Sequence, residues 1–363
     1  MSNRCWCDVD PTAFQHNIAQ LKKAAQNKPL IAVVKADAYG HWAREAVKHM
    51  PGADRFAVAT INEAMELLDH LQKPVLILSP LTENEDVVAA VANGLEMNIG
   101  SSESLQTAIR VARSLQQKAV VHMELDTGMS RTGFDPEEFP GALARVIDAR
   151  ELELVGVFTH FQSGCDREAV FEQMHIFHKL TESLPRGVVR HAASTSALLA
   201  FPETHLDAVR PGLGVYGALP EPDCSVDLSL KPALSLKARV VQIRQLRRGS
   251  SVSYGARFVA GKKTRVAVLG VGYADGFPPV LANRGRVLIN GKPRRVLGAV
   301  CMDAIMVDAS EKPLPQVGDV AVIIGRDGDQ RITAEQLAQQ AGTTPYDILT
   351  GIGRRAKRIY RTS

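Results

Sequence analysis

The spacing of hydrophobic positions along this 363-residue chain changes near residue 227. Before that point short apolar runs recur at 31–34, 56–58, 75–78, 97–99, 119–125, 154–158, 188–192 and 208–209. They are rich in Val, Ile and Leu and short, which predicts buried strands. Between them lie stretches of helical period, such as 61–71, 101–116, 138–150 and 167–184. Strand–helix alternation repeated eight times implies a parallel sheet with helices outside, closed into a (β/α)8 barrel. Residues 5–9 read as one further strand, and Asp10-Pro11 opens a helix to about residue 26 with Phe14, Ile18, Leu21 and Ala25 on one face.

Beyond residue 227 the pattern alternates with period two over 236–244, and further short runs at 266–271, 286–289 and 320–324 are separated by Gly, Pro and Asn turns. The expected organisation is a barrel over 1–226, then a mainly β domain over 227–363, with the strand at 5–9 able to pack on the second domain. One late helix is marked by a capping box, Thr333 with Gln336, and by Gly342 after its last turn.

Composition narrows the function classes. A 45% apolar and 23% charged chain is globular, and a net charge of +4 over this length leaves no nucleic-acid footprint. The basic run 354–358 reads as a solvated face. No apolar run approaches a membrane span, and the first residues lack the apolar core of a signal peptide. The five cysteines are scattered and odd in number, so neither a disulfide framework nor a metal site is expected, and the setting expected is the cytoplasm.

A barrel of this kind places its chemistry at the C-terminal ends of its strands. Those ends carry Lys35, the loop Asp126 to Arg131, His160, Ser194-Thr195 and Arg210-Pro-Gly212. An ammonium is costly to bury, so Lys35 either reaches solvent or is held with a lowered pKa as a nucleophile or base. Asp126-Thr-Gly128 is the tripeptide of aspartic proteases, which need two such carboxylates; this chain has one. Gly212-Leu-Gly214-Val-Tyr-Gly217 matches a dinucleotide fingerprint, yet it runs straight into Ala-Leu-Pro220 rather than opening a helix. Its glycines suit backbone amides brought close to a phosphate after strands seven and eight.

The segment around Lys35 and Tyr39 closely resembles the signature of the alanine racemases. So, in the expected order, do the motifs around His160, His191 to Thr195, Val209 to Gly212, Val252 to Gly255, Gly272 to Gly276, Val300 to Asp303 and Pro345 to Asp347. The ordered set spans nearly the whole chain. The resemblance implies a pyridoxal 5'-phosphate enzyme in which Lys35 holds the cofactor as a Schiff base and is one catalytic base. Tyr39, Thr195, Gly212, Leu213 and Tyr346 would hold the phosphate, and Arg210 would face the pyridine nitrogen. A guanidinium only donates, so that nitrogen must stay unprotonated, which weakens the cofactor as an electron sink.

Racemisation removes a proton from one face of Cα and returns it to the other, and the resemblance makes Tyr254 the second base. A tyrosine of ordinary pKa, about 10, is a poor base at neutral pH, so a network of His160 and Arg210 would have to favour the phenolate. In this family the tyrosine comes from the partner subunit, which implies a homodimer with shared sites. Arg131 and the amide of Met302 would bind the substrate carboxylate.

Four positions depart from the family. Where a carbamylated lysine often orients the arginine, this chain has Glu124, which is expected to orient Arg131 itself. Thr195 replaces a serine, Trp42 stands where glycine commonly follows Gly-His, and Ala299 replaces an arginine. The expectation is an alanine racemase that interconverts L- and D-alanine and supplies D-alanine to a bacterial wall. A racemase of another or broader amino-acid range, such as serine, lysine or arginine, remains open. So do a decarboxylase on the same barrel, which Arg131 and Tyr254 oppose, and a non-catalytic pyridoxal-phosphate-binding protein.

Overall fold

The computed structural model describes residues 4–220 and 228–361. β1 (Cys5–Val9) is followed by the barrel strands β2 (Ile31–Val33), β3 (Arg55–Val58), β4 (Val75–Ile77), β5 (Glu96–Ile99), β6 (Ala119–Glu124), β7 (Leu152–Phe158) and β8 (Val189–His191). β2 to β8 form one sheet in sequence order, and every neighbouring pair is parallel. Ala208 and Val209 close it, Ala208 bridging His191 and Val209 bridging Leu30. This eighth strand is two residues long, and Arg210 N and Pro211 O extend its bonding to Ala193 O and Val33 N. The barrel expected from the alternation is therefore closed.

Helix boundaries follow local chemistry. Asp10 caps the helix Pro11–Ala24, its carboxylate accepting from Thr12 N, and that helix buries Phe14, Ile18 and Leu21. Ser101 and Ser104 cap the helix Ser102–Leu115 reciprocally, and Thr60 and Glu63 do the same for Ile61–Leu67.

The second domain is built on β9 (Leu234–Leu246), whose first half alternates buried and half-buried positions as the period-two pattern requires. β1 pairs antiparallel with β9 and parallel with the strand Lys357–Tyr360. The first strand of the chain thus belongs to the sheet of the second domain, and the two termini lie side by side in it. The late helix Ala334–Ala341 has the expected cap, and Gly342 ends it in the left-handed region. The boundary expected at 226/227 lies outside the described residues.

One expectation needs correction. Cys165 is disulfide-bonded, whereas Cys5, Cys7 and Cys301 are free. Among the described residues no helix is long and apolar enough to cross a membrane, and no group of three or more His, Cys, Asp or Glu is arranged to hold a metal.

Candidate active site

Lys35 stands two residues beyond β2, at the C-terminal mouth of the barrel. The backbone after it coils with the wrong hand. Ala36, Asp37, Ala38 and Tyr39 all have φ between 52° and 55°, a conformation costing roughly 1–2 kcal/mol per L-residue. Four together store about 4–8 kcal/mol, which surrounding bonds must offset. Ala36 N donates to Glu63 Oε1 at 2.7 Å, and Asp37 Oδ1 accepts from Ala43 N at 2.7 Å. His41 Nδ1 lies 3.0 Å from the carbonyls of both Ala38 and Tyr39. The C-terminal strand adds Arg358 Nε to Gly40 O at 2.8 Å and the Tyr360 hydroxyl to His41 O at 2.6 Å. Gly40 itself cannot carry a side chain: its φ is +79°, and a Cβ would lie 2.3 Å from Leu349 O.

The turn buries Tyr39 and leaves Lys35 half-buried. Burial, with Arg131 and Arg210 close by, lowers the Lys35 pKa below the ordinary 10.5, and Glu63 acts the other way. Tyr39 sits in an aromatic cluster, its ring 4.9 Å from Tyr216 and 5.8 Å from Tyr346. Its hydroxyl abuts Gly212, where a Cβ would approach to 2.5 Å. Thr195 begins the short helix after β8, and its Oγ1 accepts from Gly212 N at 3.2 Å and from Gly214 N at 3.1 Å. Leu213 opens a single 3-10 turn, so the glycines do not start a dinucleotide-binding helix. Tyr39, Thr195, Gly212, Leu213 and Tyr346 are thus brought to one corner.

Arg210 is buried at 5% exposure, and its hydrogen-bond partners are neutral: His191 Nδ1 at 2.5 Å, Thr159 O at 2.9 Å and, at a long 3.4 Å, His191 O and His160 Nδ1. Burial lowers its pKa to about 10, so it keeps its charge at neutral pH. Burial and the charges of Arg210, Arg131 and Lys35 push His160 down to about 3, which leaves its ring neutral.

Glu124 does not orient Arg131 as expected. Its Oε2 accepts from Asn98 Nδ2 at 2.6 Å, Thr132 is its other hydrogen-bond partner, and Arg131 acts on it only through longer-range charge. The reason is register: Asn98 on the neighbouring β5 reaches the carboxylate first. Burial also raises the Glu124 pKa. Arg131 itself is exposed at the mouth.

Tyr254 and Met302 lie on the second domain, 74% and 50% exposed. Tyr254 projects from a kinked turn in which Ser253 and Ala256 both have positive φ. Nearby, Asp275 of the Gly-Tyr-Ala-Asp-Gly segment is buried and ion-paired with Arg4 and Arg355. Sequence reading missed Glu63, Asn98, Arg358 and His122, and gave His191 no role beyond its place in a motif. Only Glu63 left a signal, the Thr60-to-Glu63 capping box.

The chemistry of the donor set fits pyridoxal phosphate. Lys35, Arg131 and Arg210 act electrostatically on one another, against the carboxylates Glu63 and Glu124. An anionic phosphate and a substrate carboxylate would offset that excess.

Comparison with known proteins agrees. The family model "Alanine racemase, N-terminal domain" matches residues 9–220, and "Alanine racemase, C-terminal domain" matches residues 233–360. The alanine racemase of Carboxydothermus hydrogenoformans is 39% identical over 365 residues, covering 98% of this chain and 99% of that protein. The one from Synechocystis is 37% identical, covering 98% of each. The crystal structure of alanine racemase from a D-cycloserine-producing Streptomyces lavendulae superposes with a TM-score of 0.94 at 32% identity, covering 100% of this chain and 98% of that one. That of Bartonella henselae, with covalently bound pyridoxal phosphate, gives 0.90 at 27% identity and covers 99% and 100%. With both halves matched and Lys35 set at the mouth of the same barrel, the chain belongs to the alanine racemase family.

Proposed function

We propose that this protein is a pyridoxal-phosphate-dependent racemase that interconverts L- and D-alanine. The observation that carries the reading is Lys35, with a lowered pKa, held on a strained turn beside the buried cation Arg210. Pyridoxal phosphate, when bound, acidifies the Cα–H bond by accepting the electron pair left at Cα. The chain's own residues do the rest. Tyr39, Thr195, Gly212, Leu213 and Tyr346 would hold the phosphate. Arg210 would donate to the pyridine nitrogen, leaving that nitrogen without a proton and placing more of the work on acid and base groups.

Lys35 Nζ moves the proton on one face of Cα. The partner subunit's Tyr254 moves it on the other, with neutral His160 and Arg210 as its supporting network. Arg131 and the amide of the partner's Met302 hold the carboxylate; a charge-assisted bond there contributes about 1.5–3 kcal/mol. The high exposure of Tyr254 and Met302 supports a homodimer in which each site takes residues from both chains. Glu124, a fixed carboxylate, stands where no carbon dioxide would be required. Supply of D-alanine for peptidoglycan, in the cytoplasm, is the role that this chemistry would serve.

The test is exchange in deuterated water. L-alanine and D-alanine are each incubated with the holoenzyme, and deuterium is expected at Cα from both, with interconversion. Serine, lysine and arginine, run in parallel, decide the substrate range. Retention of protium at Cα from both enantiomers would overturn the reading.

A further inference from the structure

A row of buried polar side chains runs through the barrel behind Arg210. Arg210 Nη1 donates to His191 Nδ1 at 2.5 Å, and His191 Nε2 lies 3.0 Å from His122 Nδ1. His122 Nε2 lies 3.0 Å from Glu96 Oε2, and Glu96 Oε1 accepts from Arg55 Nε at 3.1 Å. His122, His191 and Glu96 are all buried. The row has been given room: a Cβ on Gly156 would lie 2.1 Å from His122 Nδ1.

Donor and acceptor counting leaves one arrangement. A guanidinium only donates, so His191 Nδ1 must offer its lone pair and its proton must sit on Nε2. That proton is given to His122 Nδ1, so the His122 proton sits on Nε2 and is given to Glu96. A carboxylate only accepts, and its second oxygen takes Arg55. Burial, then the charge of Arg210, holds His191 well below its ordinary pKa, consistent with a neutral ring. Burial alone would raise Glu96, but its bonds and charges with His122 and Arg55 outweigh it and keep the carboxyl low.

We propose that Glu96 is a positioning residue for Arg210, acting through His122 and His191 by fixing the tautomer of both rings. The inference rests on the reading that Arg210 faces the cofactor ring. Glutamine at 96 would break the row, since its single oxygen can face His122 or Arg55 but not both. If the amide turns its NH2 to His122, both imidazoles must switch and His191 points Nδ1–H at Arg210. If it keeps its oxygen there, Arg55 meets a donor.

The experiment is histidine-selective 15N NMR of the ring nitrogens in the wild-type protein and in Glu96→Gln and Glu96→Asp, alongside alanine kinetics of the holoenzymes. In the wild type, His122 and His191 are expected as Nε2–H tautomers with Nδ1 accepting. In Glu96→Gln that pattern is expected to be lost, with kcat down roughly 10- to 100-fold from misplacement of Arg210 and KM for alanine nearly unchanged. Glu96→Asp should recover part of both. A wild-type spectrum showing Nδ1–H or doubly protonated rings overturns the inference without any variant. So does Glu96→Gln with altered tautomers and unaltered kcat. Absence of racemisation by the wild type would sink the proposed activity, while the tautomer spectrum would still decide the row.

Discussion

Arg358 Nε donates to Gly40 O at 2.8 Å, a contact that spans 318 positions of sequence and ties the last strand to the turn that carries Lys35. The same guanidinium also donates to the carbonyls of Ile352, Gly353 and Ala356, each at 2.8 Å. Arg358→Ala takes the guanidinium donor from the carbonyls of Gly40, Ile352 and Ala356, while Gly353 O keeps Ala356 N at 3.1 Å, and should cost about 3 kcal/mol or more. Urea unfolding is the measurement; a loss under about 1 kcal/mol would show that water replaces the guanidinium. Because the turn is strained, cofactor retention on dialysis should fall in the same variant.

Lys35→Ala and Tyr254→Phe should each be nearly inactive, with the second losing about 10²–10⁴-fold as one proton-transfer group is removed. Lys35→Ala should also lose the absorbance of lysine-bound pyridoxal phosphate, which Tyr254→Phe keeps. If sites are shared, mixing the two inactive proteins under subunit exchange should restore about a quarter of wild-type activity by random pairing in a two-fold dimer. No recovery on mixing, with exchange verified, would place both bases in one chain.

Stability should fall in mild acid. Burial pushes His41 down to about 4 and His191 well below 6.5, so neither ring takes a proton in the folded state as pH drops through 6. The unfolded chain does, near pH 6.5. Stability is therefore full above about pH 6.5 and is lost as pH falls toward the folded values, with each ring contributing a slope approaching ~1.4 kcal/mol per pH unit. Denaturant midpoints at pH 7, 6 and 5 measure it, and replacing His41 by Gln should flatten the slope.

Trp42 holds φ at 74° with 46% of its surface exposed. A glycine there relieves about 1–2 kcal/mol of left-handed strain but gives up the packed part of the indole. Alanine gives up the same packing and keeps the strain. Trp42→Gly is thus expected to melt higher than Trp42→Ala, a reversal of the usual ranking, and equal melting temperatures would show that the indole rather than the backbone governs this corner.

What could be read from the chain was what period and punctuation encode. The barrel strands, the alternating β9 and the capped helix Ala334–Ala341 came from spacing alone, and Lys35, His160 and Arg210 followed because the fold fixes which strand ends face the mouth. What could not be read depended on register between strands. Asn98 intercepts Glu124 because β5 and β6 run side by side in one particular alignment. Glu96, His122 and His191 point into the barrel from runs apolar enough to hide their alternation. The turn at Ala36 to Tyr39 carries no glycine of its own, and only Gly40 hints at its hand. Pairing of β1 with β9 joins Cys5 to Ala238 across the whole barrel sequence, which no local pattern could signal.

The left-handed coil behind Lys35 bears on how this enzyme can be divided. Its bonds come partly from the barrel, through Glu63, and partly from the chain's last strand, through Arg358 and Tyr360. A barrel excised at the sequence boundary would keep the lysine but not the grip on it, and the coil would relax toward the ordinary hand. The two halves are modules to a reader of sequence and a single mechanical unit to the amine of Lys35.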